Sequence, residues 1–133
     1  MKDIDRVFAE ISNTKQLENI PIFLIFNKCD LLNVKLLKKK NFKKFYQDFQ
    51  GNEEFEEVYN YFEEKLSNSS KFYSNERIFV LPSIGVVEKI AQKTLQATTK
   101  IYSLFEAKNE NIKEIYQKER NELMEIVKEE IKK

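Results

Sequence analysis

Histidine and tryptophan are absent from this chain of 133 residues, cysteine occurs once, and glycine and proline occur twice each. Nucleophilic sites of the Ser-His and Cys-His kinds need a histidine, and most transition-metal sites need several His or Cys ligands. The composition therefore excludes both kinds of site. The lone Cys29 cannot form an internal disulfide, and the start of the chain lacks the pattern of a signal peptide, so we expect a reducing, cytoplasmic environment.

Charge and hydropathy exclude further classes. The 23 Lys and Arg residues almost balance the 22 Asp and Glu residues, so the net charge of +1 gives no overall attraction to nucleic acid. No apolar run approaches the roughly 20 residues that a transmembrane helix needs. The length fits one domain. We therefore expect a protein with no transmembrane segment and no nucleic-acid partner.

The most informative stretch is residues 21–32, which reads P-I-F-L-I-F-N-K-C-D-L-L. Five consecutive apolar residues, Ile22 to Phe26, are typical of a buried strand, and the polar tetrad N-K-C-D follows at its carboxyl end. Ligands of open α/β sheets bind at that edge of the sheet. The pattern predicts a purine-recognition loop, and the alternative is a polar turn that matches the tetrad by chance.

The residue types in this tetrad suit guanine. The Asp30 carboxylate can accept both the N1–H and the N2–H of the base, a pair of donors that adenine does not offer in that arrangement. The Asn27 amide suits the N7 or O6 side of the base, or else it ties neighbouring loops together. The aliphatic stem of Lys28 can lie along the face of the base. Cys29 needs no role beyond that of a small hydrophobic residue.

Periodicity predicts the elements around this loop. An amphipathic helix over residues 2–18 precedes the strand, and a second helix over 52–66 presents Phe55, Val58, Tyr59, Phe62 and Leu66 on one face. A second strand is predicted at Ile78–Leu81, followed by a helix over 86–108 whose buried residues include Leu95. Two strands joined by a helical crossover form a parallel pair, so Ser83 to Gly85 is a second strand-end loop beside the first.

Two charged segments leave alternatives open. The lysine-rich residues 31–44 are either a solvated basic loop or short helix, or a contact for an acidic partner or a lipid headgroup. The aromatic residues that follow, including Phe42, Tyr46 and Phe49, favour packing over base stacking. Beyond residue 108 the pattern predicts a charged amphipathic helix, either solvated or in a short coiled-coil contact.

Several motifs in order resemble the α subunits of heterotrimeric G proteins. The run V-F-A-E-I-S-N-T-K-Q-L-E-N-I-P-I-F-L-I-F-N-K-C-D-L-L, residues 7–32, is similar to that family's F-x-x-I-x-N helix end followed by the N-K-x-D strand. F-Y-Q-D-F-Q-G, residues 45–51, resembles its F-P-x-Y-x-G segment, and E-E-V-Y-N-Y-F-E-E-K-L, residues 56–66, its next helix. The resemblance covers residues 1–108.

The resemblance implies an α/β fold, namely the carboxyl-terminal half of a Ras-like domain of the P-loop NTPase type, truncated or fragmentary. It implies two parallel strands with flanking helices in residues 1–108, and an extended C-terminal helix in 109–133. Asn27 and Asp30 would read the guanine of GTP or GDP, with Lys28 beside it. In the favoured register the family's T-C-A-T loop corresponds to S-I-G-V, so the Gly85 N–H would donate to guanine O6. If Pro82 held that position instead, the donor would be absent.

The same comparison shows which family parts the chain lacks. It has no G-x-x-x-x-G-K-[ST] phosphate loop, no switch residues and no magnesium ligands, although Mg²⁺ is expected for the family. Phosphoryl transfer depends on those parts, so we expect no catalytic residues here and no GTP hydrolysis by this chain alone. The resemblance implies two partners, a G-protein-coupled receptor and Gβγ. It also implies a peripheral location at the inner membrane face. The alternative function is a non-catalytic interaction module that binds a partner through an exposed strand edge or the C-terminal helix.

Overall fold

The computed structural model describes residues 2–33 and 42–133. Its helices and strands, in chain order, are α1 (Lys2–Ser12), β1 (Ile22–Phe26), α2 (Phe42–Phe45), α3 (Phe55–Ser67), β2 (Ile78–Pro82), α4 (Glu88–Glu106) and α5 (Ile112–Lys132). Residues 29–33 are also helical, and a single turn of 3-10 helix precedes each strand, at Lys15–Leu17 and Asn75–Arg77. Most of the lysine-rich segment, for which a solvated loop or a partner contact was predicted, lies outside the described residues.

The sheet consists of β1 and β2, which pair in parallel with Ile22 opposite Ile78 and Phe26 opposite Pro82. The helix α3 lies in the connection between the two strands, as a parallel pair requires. The prediction of a mixed α/β fold with two parallel strands, flanking helices and a long C-terminal helix is confirmed. The finer assignment to a Ras-like domain stays a prediction.

The first helix is shorter than predicted. It ends at Ser12 because the side chain of Asn13 is used to join α1 to the loop before β2. Its Nδ2 donates to the Ala9 carbonyl at 2.8 Å, while its Oδ1 accepts from the Lys71 and Phe72 amides at 2.7 and 3.3 Å. A short amide side chain that bonds the backbone in this way competes with continuation of a helix.

The apolar face predicted for α3 is confirmed, because all five of its predicted residues are buried. An aromatic cluster packs beside it: the Phe42 ring lies 4.8 to 5.7 Å, between centroids, from four other rings. These rings belong to Tyr46, Phe49, Tyr61 and Phe62. The aromatic residues after the lysine-rich segment therefore pack against one another, as expected from their spacing.

The buried face of α4 differs from the prediction. Ile90, Thr94, Ala97 and Ile101 are buried, whereas Leu95 is 67% exposed. The buried residues recur every three to four positions and form one stripe, and Leu95 lies one position beyond it. The prediction for Leu95 was wrong because it followed the hydrophobicity of this residue and not the spacing of the buried residues.

The helix α5 buries Leu123, Met124 and Val127, and the last two belong to the same buried cluster as residues of α3. Two ion pairs also join α5 to α3: Arg120 Nε lies 2.8 Å from Glu63 Oε2, and Lys128 Nζ lies 2.8 Å from Glu56 Oε2. The helix predicted beyond residue 108 is therefore packed on the core rather than solvated. None of the described helices has the length and apolar character needed to cross a membrane.

The outer edge of β2 is also covered by α5. The Tyr116 hydroxyl accepts a hydrogen bond from the Val80 N–H and donates one to the Val80 carbonyl, each at 3.0 Å. All five residues of β2 are buried. By contrast, β1 pairs with β2 alone among the described residues, and its Ile25 is 39% exposed. One edge of the sheet is thus closed by a helix, and the other has no strand beside it in the described structure.

Candidate functional site

The two loops that contain the predicted site residues lie side by side at the carboxyl ends of the strands. Because Phe26 and Pro82 are opposite each other, the residues that follow them enter the same edge of the sheet. The Ser83 N–H donates to the Phe26 carbonyl at 2.9 Å, and the Cys29 N–H donates to the Ser83 carbonyl at 3.3 Å. The structure therefore brings Asn27–Asp30 and Ser83–Gly85 together, as the parallel pairing predicts.

A side-chain contact fixes the Asn27 amide. Its Oδ1 accepts a hydrogen bond from the Gly85 N–H at 2.7 Å. A Cβ atom at Gly85 would lie 3.1 Å from Asn27 Nδ2 and 3.2 Å from its Oδ1, so the close approach suits glycine. Of the two roles considered for Asn27, the structure shows the tie between loops. Its contact with a base stays a prediction, as does the donation from Gly85 to O6.

The orientation of the amide has a chemical consequence. With Oδ1 bonded to Gly85, the Nδ2 group is the end of Asn27 that can donate to another molecule. No described residue accepts a hydrogen bond from it, and Asn27 is exposed. The arrangement leaves a positioned donor at the edge of the sheet, which is what recognition of an acceptor such as N7 requires.

Lys28 has an unusual backbone conformation. Its φ of 58° lies in the left-handed region, which is unfavourable for a residue with a side chain. The Lys28 carbonyl accepts from the Leu31 and Leu32 amides at 3.0 and 3.2 Å, so the helical residues 29–33 begin directly after it. The Lys28 side chain is exposed, and its predicted place against a base is not shown by any contact here.

Cys29 and Asp30 differ in burial. The Cys29 thiol is fully buried and donates to the Phe26 carbonyl at 3.2 Å. Burial raises the pKa of this thiol to about 12, so it stays protonated and serves as a packing group. Asp30 is only half-buried, and no described residue forms a hydrogen bond or an ion pair with its carboxylate. Within residues 2–33 and 42–133, nothing occupies the carboxylate as an acceptor.

Thr94 supports the second loop and was missed by sequence reasoning. Its hydroxyl lies 2.9 Å from the Ile90 carbonyl, 3.2 Å from Ser83 Oγ and 3.4 Å from the Pro82 carbonyl. The signal that could have found it is a polar residue on the buried stripe of α4, four positions after Ile90. In the part of the chain that the structure describes, no group of His, Cys, Asp or Glu residues is arranged to hold a metal ion.

Comparisons with known proteins give no name to this site. A scan against family models found no match, and searches of curated proteins and of solved structures found none either. The motifs of residues 7–66 and the geometry of the two loops are thus the features that bear on function. The resemblance to G-protein α subunits remains a resemblance.

Proposed function

We propose that this chain binds the guanine base of GTP or GDP at the loops Asn27–Asp30 and Ser83–Gly85. The observation that carries the proposal is the hydrogen bond of 2.7 Å between the Gly85 N–H and Asn27 Oδ1. It joins the two loops and leaves the Nδ2 of Asn27 as the donor end of the amide. A donor in this loop suits N7, which every purine offers, and a carboxylate without a partner among the described residues suits the N1–H and N2–H donors that only guanine has.

Asp30 supplies the specificity in this proposal. Its carboxylate accepts the N1–H and N2–H donors of guanine in a charge-assisted pair, while Asn27 donates to N7. The Gly85 N–H is already bonded to Asn27, so its donation to O6 requires it to share or exchange that acceptor. Lys28 covers one face of the base with its aliphatic stem.

The proposal is limited to recognition of the base. The 133 residues contain no G-x-x-x-x-G-K-[ST] loop, so the phosphates have no such cradle within them. We therefore expect weak binding and no hydrolysis by this chain alone. A role in G-protein signalling, with a receptor or Gβγ as partners and a place in the cytoplasm or at the inner membrane face, belongs to the same proposal and rests on the resemblance.

The proposal can be tested by changing the base of the nucleotide and residue 30 together. Xanthine has a carbonyl oxygen where guanine has its N2 amino group, so it offers N1–H and an acceptor in place of two donors. An asparagine at position 30 can accept the first and donate to the second. We expect Asp30→Asn to weaken GDP binding by roughly tenfold or more and to favour xanthosine diphosphate, measured by fluorescent-nucleotide competition.

Asp48→Asn is the matched control. It removes a carboxylate that is bonded to the Tyr61 hydroxyl at 2.6 Å and to neither of the two loops, and it should leave the preference for GDP unchanged. Equal GDP binding by the wild type and Asp30→Asn, or no saturable binding by the wild type, would contradict the proposal.

A second function, that of an interaction module, is favoured by the surface around β1. Ile20, Ile25 and Leu31 are 47%, 39% and 50% exposed, and β1 has no second strand partner among the described residues. An exposed strand edge pairs readily with another chain.

If this is the function, light scattering after size exclusion will show a dimer that Ile25→Lys dissociates. Leu95→Lys is the control, because it places the same charge at an exposed leucine of α4 instead of on the strand. A monomer at every concentration would count against this function.

A further inference from the structure

Ser83 is the residue through which the backbones of the two loops meet. Its N–H donates to the Phe26 carbonyl at 2.9 Å, and its carbonyl accepts from the Cys29 N–H at 3.3 Å. Both contacts reach the first loop, Asn27–Asp30, or the strand that leads into it. The side chain of Ser83 takes no part in either contact, and the residue is only 3% exposed. A buried hydroxyl of this kind needs a hydrogen-bond partner of its own.

That partner is Thr94 of α4. The hydroxyl oxygens of Ser83 and Thr94 lie 3.2 Å apart, so one hydroxyl donates to the other. Thr94 is 5% exposed, and its hydroxyl oxygen also lies 2.9 Å from the Ile90 carbonyl oxygen. Among the described residues, no other group forms a hydrogen bond with the Ser83 hydroxyl. The pair therefore links α4 directly to the second loop.

This contact closes the second loop back onto the helix that follows it. The loop leads into α4 through Val87, whose N–H donates to the Ile84 carbonyl at 2.9 Å. Thr94 lies about two turns into α4 and bonds Ser83 across 11 positions. Gly85 lies between these two bonds along the chain, and its N–H is the donor to the first loop. The backbone is thus restrained on both sides of the donor that joins the loops.

Packing of α4 does not require a hydroxyl at position 94. The other buried residues of α4 are Ile90, Ala97 and Ile101. A valine has the same branched shape as Thr94, but it would leave the Ser83 hydroxyl without a partner among the described residues. We infer that Thr94 is a positioning residue for base recognition, which acts through Ser83 to hold the second loop in place against the first. This role rests on the proposed function, because its consequence is the affinity for guanine.

The position of the loops can be measured in the nucleotide-free protein. Thr94→Val removes the hydroxyl, whereas Thr94→Ser keeps it. In two-dimensional NMR we expect Thr94→Val to shift the amide signals of Cys29 and Gly85, and Thr94→Ser to leave them near their wild-type positions. Thr98→Val is the matched control, because the Thr98 hydroxyl donates to the Thr94 carbonyl at 2.9 Å, within the helix. Signals that move no more in Thr94→Val than in the control would overturn the inference.

The same variants test recognition of the base by fluorescent-nucleotide competition. We expect Thr94→Val to weaken GDP binding roughly two- to tenfold, the range for loss of one hydrogen bond, and Thr94→Ser and Thr98→Val to bind like the wild type. Ser83→Ala removes the other hydroxyl of the pair and should weaken GDP binding to the same degree, so the test stands even if Thr94→Val does not fold.

The double variant shows whether Thr94 acts through Ser83. In the Ser83→Ala background, Thr94→Val should weaken GDP binding no further, and an equal loss in both backgrounds would overturn the inference. If the wild type binds GDP and Thr94→Val binds it equally well, the role of Thr94 is wrong while guanine recognition stands. If the wild type shows no saturable GDP binding, guanine recognition is wrong and the role of Thr94 in it is wrong as well.

Discussion

The outer edge of β2 is covered by a helix, whereas β1 has only β2 beside it in the described structure. At Val80 the Tyr116 hydroxyl takes the place of a neighbouring strand, because it satisfies both the N–H and the carbonyl of that residue. Every residue of β2 is buried, and every residue of β1 keeps at least part of its surface exposed. The difference indicates that the stability of the sheet is concentrated on the β2 side, while β1 leads into the loop proposed to bind the base.

The largest expected effect compares two phenylalanines that face each other across the strands. Phe23 and Phe79 are paired in register, and their rings stack with centroids 5.2 Å apart. Phe79 is 2% exposed, whereas Phe23 is only half-buried. We expect Phe79→Ala to lower the free energy of unfolding by about 3–5 kcal/mol and Phe23→Ala by about 1–2 kcal/mol, in urea denaturation. Equal losses would show that the two strands contribute alike.

A smaller effect is expected at the covered edge itself. Tyr116→Phe keeps the ring but removes both hydrogen bonds to Val80, which leaves a buried peptide group without partners. We expect a loss of about 1–3 kcal/mol in the free energy of unfolding and faster hydrogen exchange of the Val80 amide.

Tyr102→Phe provides the control for this substitution, because Tyr102 is 48% exposed. It should change the free energy of unfolding by less than about 0.5 kcal/mol. If Tyr116→Phe lowers the free energy of unfolding by equally little, the Tyr116 hydroxyl does not stabilise the outer edge of β2.

The free energy of unfolding at alkaline pH should depend on a different buried group beside each strand. Burial raises the pKa of Cys29, after β1, from 9.0 to about 12, and that of Tyr116, over β2, from 10.0 to about 12. Each group stays protonated in the folded state while the unfolded chain loses the proton. The free energy of unfolding should therefore fall as pH rises above 9, by about 1.4 kcal/mol per pH unit for one group.

The two contributions start at different pH values. Cys29→Ala should remove the fall between pH 9 and pH 10, and the tyrosines should still produce a fall above pH 10. Denaturation at a series of pH values gives the slopes. An unchanged slope below pH 10 in Cys29→Ala would contradict the assignment to the thiol.

The sequence predicts well what depends on local pattern. The apolar run before N-K-C-D predicted β1 at its observed bounds, and the spacing of Phe55 to Leu66 predicted the buried face of α3. The parallel pairing followed from the helical connection, and it placed the two loops together. Asp30 and Asn27 could be chosen because their chemistry matches guanine and not because of any long-range contact.

What the sequence did not predict depends on contacts between distant residues. A tie between loops was considered for Asn27, but its partner, Gly85, is 58 positions away and could not be named; the Arg120–Glu63 pair spans 57 positions. Periodicity predicts an apolar stripe on α5, but it does not identify the surface against which that stripe packs. Arg120 is charged, and nothing in its local pattern shows that the structure buries it against α3.

The Tyr116 contact also has a consequence for folding during synthesis. Tyr116 follows Val80 by 36 residues, so at 5–20 residues per second it is made roughly 2–7 s later. During that interval β2 has been synthesised but lacks the side chain that covers its edge. An exposed edge of this kind invites pairing with other chains, so the nascent protein is most prone to aggregate in the seconds before α5 emerges.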